Sequence, residues 1–107
     1  MSDRAVYNPA DFTTEHLARA ARGEAKELAP QLAVTLLRAK LGDEATGVLT
    51  ELARDEKADP RGRGAATRAL GSYPSARGTL ASLTESPEWL VAEAATQALE
   101  QSSRSDE

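Results

Sequence analysis

The sequence predicts an all-α chain built as a solenoid of about three stacked antiparallel helix pairs. Three observations carry this. Leu and Ala dominate the apolar residues, while Ile is absent and aromatics make up only 4% of the 107 residues. That composition favours helices and starves a sheet of the β-branched and aromatic residues it needs. Cap-and-proline pairs recur along the chain, as helix starts require. A six-residue block also returns 29 residues later, from Ala65 to Ala94.

Residues 1–8 read as a leader, 9–101 as the helical repeat domain and 102–107 as a disordered tail. Asn8-Pro9-Ala10-Asp11 starts the first helix, with either Asn8 or Asp11 as the cap. Leu17, Ala21, Ala25 and Leu28 follow at helical spacing, with Gly23 inside the stretch. Pro30 opens a second helix that is apolar on more than one side, through Leu32, Val34, Leu36, Leu37 and Leu41. Such a helix is buried between neighbours. Gly42 ends it, and Asp43 caps a third helix carrying Ala45, Val48, Leu49 and Leu52.

Asp59-Pro60 starts the fourth helix, which carries Ala65, Ala66, Ala69 and Leu70 and stops at Gly71. A short fifth helix runs from about Ser75 to Thr84. Ser86-Pro87 starts the last one, with Leu90, Val91, Ala94, Ala95, Ala98 and Leu99 as its apolar stripe. That stripe is wider than one neighbouring pair needs, so an end-to-end homodimer is expected alongside binding of another protein. Tyr7 and Phe12 are expected to fold back over the first helix pair.

The repeat aligns Ala65-Ala66-Thr67-Arg68-Ala69-Leu70 with Ala94-Ala95-Thr96-Gln97-Ala98-Leu99, identical at five of six positions. A Leu-x-x-Leu helix precedes each copy, Leu49/Leu52 and then Leu80/Leu83, and a proline turn lies between. A period near 30 with two helices is the mark of an α-solenoid. A plain helical bundle in an Ala-rich chain is the alternative.

Asp59-Pro60-x-x-Arg63-x-Ala65-Ala66-x-x-Ala69-Leu70-Gly71 resembles the second helix of a HEAT repeat, in the short variety first noted in phycobilisome lyases. The resemblance covers about residues 43 to 101. It implies that Asp59 and Arg63 occupy the two positions that pair between neighbouring repeats as a structural ladder. The sequence departs from the family pattern at Gly62, where Val is usual, and at Ala92, where Arg is usual. The family includes bilin lyases and a DNA glycosylase branch, so the resemblance implies a fold and no single activity.

No residue pattern carries catalysis. Without Cys there is no thiolate nucleophile or zinc-thiolate site. His16 is the only histidine and has no second histidine at ligand spacing, so it is expected to be a solvated or half-buried side chain. Gly62-Arg63-Gly64 follows no strand and is no phosphate loop. No cofactor is expected, and a non-enzymatic interaction module is the leading reading. A small lyase-like accessory subunit is the alternative from another class. The net charge of -4 makes nucleic acid an unfavourable partner, despite the Arg61, Arg63 and Arg68 stripe. No apolar run approaches membrane-spanning length, and a cytoplasmic location is expected. The candidate partner-binding residues are Arg38, Arg61, Arg68, Trp89, Glu93 and Gln97, outward positions on the second helix of each pair.

Overall fold

The computed structural model describes residues 12 to 105, with side chains through Gln101. The leader, the helix start expected at Asn8 to Asp11, and Tyr7 lie outside the described residues. Six α-helices follow one another: α1 (Thr14–Ala21), α2 (Pro30–Leu41), α3 (Ala45–Arg54), α4 (Pro60–Leu70), α5 (Arg77–Leu83) and α6 (Trp89–Ser105). Short 3-10 turns at Gly42–Glu44 and Pro74–Ala76 precede α3 and α5. The described residues form no strand.

Helices consecutive in the chain pack as α1 with α2, α3 with α4, and α5 with α6. α2 also packs on α4, and α4 on α6. The core between them is mostly leucine: Leu17, Leu28, Leu37, Leu49, Leu70 and Leu80 are fully buried, with Val91. Burying each such side chain contributes about 1.5–3 kcal/mol.

α4 sits at the centre, in contact with α2, α3, α5 and α6. Its sequence explains why it can. Gly62, Gly64, Ala66 and Ala69 are all buried, and such small residues let neighbouring backbones come close. A Cβ on Gly62 would lie 1.8 Å from the Ala21 carbonyl oxygen, and one on Gly71 would lie 2.9 Å from Ala98 Cβ. Gly62, a departure from the family pattern in the sequence, is thus what admits the end of α1.

Several boundaries differ from the sequence reading. α1 stops at Ala21, because Gly23 adopts φ +90° and turns the chain. Leu28 is buried from the following loop, not from a helix. Thr13 caps α1, its side chain accepting the His16 N–H. Asp43 does not cap α3; it lies in the 3-10 turn, and Thr46 donates its hydroxyl to the Asp43 carbonyl. α6 begins at Trp89, with the Ser86 hydroxyl accepting the Glu88 N–H. Its backbone stays helical to Ser105, past the expected boundary at 101.

Most of the apolar stripe of α6 is core. Val91, Ala94, Ala95 and Ala98 are fully buried, leaving Leu90 at 37% exposure and Leu99 half-buried. α4 and α5 together cover the width that had suggested an unpartnered end. Phe12 does fold back, packing against the core and stacking on the His16 ring at 5.7 Å.

Candidate partner-binding face

Asp59 and Arg63 do not form the expected ladder. The Asp59 carboxylate accepts from the Arg61 backbone N–H at 2.8 Å, from Arg61 Nε at 3.2 Å and from a terminal guanidinium nitrogen at 2.9 Å. It therefore caps α4 and neutralises the cation that the helix dipole disfavours at that end. The Arg61 side-chain bonds, then the backbone bond, hold the Asp59 carboxyl below its ordinary range, and the pairing raises Arg61 in turn. Arg63, only 6% exposed, sends Nε to the Ala53 carbonyl at 3.1 Å. That satisfies one of the carbonyls left open at the end of α3. Arg63 is thus a buried structural residue, and the basic stripe read from the sequence loses it.

The turn between α3 and α4 is also fastened to α1. The Asp59 N–H donates to the Arg22 carbonyl at 2.9 Å, and Arg22 Nε lies 3.4 Å from an Asp55 carboxylate oxygen.

Three depressions adjoin along the α2, α4 and α6 side. The first, about 380 Å³, is lined by Gln31, Val34, Arg38, Ala65, Arg68 and Gln101, among others. The second shares Gln31, Ala65 and Arg68 with it and adds Arg61 and Leu90. The third shares Arg61 and continues past Pro30 to Lys26. Volume does not set this track apart, since depressions of about 400 and 410 Å³ lie beside His16 and Arg54. Charge does. Those two are lined partly by Glu24 and Glu27, and by Glu56 and Glu85. Among the described residues, no carboxylate lines the α2–α4–α6 track.

Of the residues singled out from the sequence, Arg38 and Arg68 line one depression and Arg61 and Arg68 the adjoining one. Gln97 joins them through a long 3.5 Å contact from Arg68, and Arg38 donates to the Ser72 hydroxyl at 3.2 Å. Trp89 and Glu93 are exposed on α6 but do not line the track. Trp89 is 67% exposed, so it does not pack over the neighbouring pair. Leu90, Gln31 and Gln101 were missed as surface residues. Their signal was present in the spacing: Gln31 and Arg38 lie seven apart on α2, and Gln101 lies four after Gln97 on α6.

His16 is half-buried and pairs with Glu27 at 3.1 Å. Among the described residues no group of three His, Asp or Glu side chains converges as a metal site requires. No helix there is long and apolar enough to cross a membrane. No protein-family model matches the chain, and no curated protein or solved structure matches it either.

Proposed function

We propose that this chain is a HEAT-like stack of three helix pairs that serves as a protein–protein interaction module, using the α2–α4–α6 side as its binding face. The stacking reading draws on the order of contacts: each helix packs on its chain partner, and the second helices α2, α4 and α6 adjoin in sequence order. The 29-residue match between α4 and α6 supports the same reading.

The observation that carries the functional proposal is a track across three helices that no described carboxylate lines, with Leu90 exposed on it and Trp89 exposed one residue earlier on α6. Exposed Trp and Arg are the residue types that dominate binding energy at protein interfaces. The face is built on helices, whose positions are set by the leucine core, and needs no moving part.

Affinity capture with the purified chain, followed by titration of each captured protein in isolation, tests this. A partner whose affinity falls at least tenfold with Arg68→Glu or Trp89→Ala supports the proposal. Partners that bind both variants as tightly as the parent chain place the interface elsewhere. Failure to capture any partner, together with turnover in a broad substrate screen, favours the lyase-like accessory reading.

A further inference from the structure

We infer that the α2–α4–α6 track takes an acidic peptide segment of a partner protein, its carboxylates captured by Arg38 and Arg68 and at least one apolar side chain set against Leu90. This rests on the interaction-module reading and names the chemistry of its partner.

The charge distribution leads to this. The chain as a whole is acidic, at -4. No carboxylate of the described residues lines the track, and four cations do: Lys26, Arg61, Arg68 and Arg38. Arg61 is already held by Asp59. Arg38 and Arg68 have only neutral partners, Ser72 and Gln97, and no ion pair with any described carboxylate. Both are exposed, and their guanidinium forks suit two-point capture of a carboxylate.

The floor of the track selects against nucleic acid. Leu90 and the half-buried Ala65 offer apolar surface, and no aromatic ring lines it for a base to stack on. Four dispersed cations on a net-acidic chain also make a poor match for a continuous phosphate backbone. An amphipathic acidic segment satisfies both the arginines and the apolar floor.

The test is fluorescence anisotropy at about 50 mM salt, where electrostatic contacts are least screened. The probe is a fluorescein-labelled helical peptide with Glu and Leu side chains on one face. Its controls are the same peptide with Gln for Glu, and a single-stranded DNA oligomer of equal charge. The expected result is binding of the Glu peptide alone. It should weaken at least tenfold in Arg38→Gln/Arg68→Gln, stay unchanged in Arg19→Gln/Arg54→Gln, and decline with added salt. Circular dichroism of both double variants should match that of the parent, because all four side chains are exposed.

Absence of Glu-peptide binding, equal binding of the Gln peptide, or equal loss in the two double variants overturns the inference. So does tighter binding of the DNA, which assigns the track to nucleic acid. The peptide results leave the broader proposal standing, which is read separately from the captured partner and its response to Trp89→Ala, whereas tighter DNA binding counts against both.

Discussion

The backbone of Gly62 meets the carbonyl oxygen of Ala21 so closely that a Cβ would sit 1.8 Å from that oxygen. The obstacle is backbone at the end of α1, not a flexible side chain, so the helices must separate to admit even a methyl group. Gly62→Ala is expected to destabilise the fold by about 2–4 kcal/mol, despite the better helix propensity of Ala. Gly47, in α3, meets nothing within 4 Å. Gly47→Ala should therefore stabilise by about 0.5–1 kcal/mol. Urea denaturation of both variants checks the contrast. Equal effects of the same sign would show that close packing at Gly62 is not what requires glycine.

Arg63 and Asp59 act on different neighbours. Replacing Arg63 by Ala removes the bond to the Ala53 carbonyl and the packing of its buried stem, at an expected cost of about 1–3 kcal/mol. Asp59→Ala loses a helix cap and should cost about 1 kcal/mol. A double-mutant cycle between the two should give a coupling no larger than about 0.5 kcal/mol. A larger coupling would restore the ladder implied by the HEAT resemblance.

Asp59 also makes the acid stability measurable. Its pKa is lowered in the folded chain, chiefly by Arg61. A carboxyl depressed in this way contributes stability that is present above its unfolded pKa, near 4. That contribution is lost as the pH falls through the lower folded value. Asp59→Asn keeps a good N-cap but removes the titration. The variant's denaturation midpoint should therefore fall less steeply than the parent's between about pH 5 and pH 2. Arg61 adds no pH dependence there, since its already high pKa is raised further. Parallel curves for the two proteins would contradict the role given to the Asp59–Arg61 pair.

Trp89 is the sole tryptophan and two-thirds exposed, so its emission reports on the exposed start of α6. Its emission should be that of a solvated indole and should be quenched efficiently by acrylamide. Trp89→Ala should change stability by less than about 0.5 kcal/mol. A blue-shifted, quencher-resistant emission, or a large loss of stability in the variant, would place Trp89 in the core instead.

The sequence by itself determined the helical class, the stop at Gly42 and the caps and prolines at Pro30 and Asp59-Pro60, because those signals are local. Each depends on a residue's own φ preference or on a hydrogen bond two or three positions away. The 3.6-residue period also picked out Arg38, Arg61, Arg68 and Gln97 as exposed positions on α2, α4 and α6, but not Gln31, Leu90 or Gln101. Only the tertiary structure decided where Arg63 sends its guanidinium, why position 62 is glycine, and that most of the α6 stripe is covered. Those outcomes depend on distances between segments far apart in the chain. The charge pattern of the track is of the same kind. Each arginine is visible alone, but the absence of a carboxylate among its described neighbours exists only once α2, α4 and α6 are side by side.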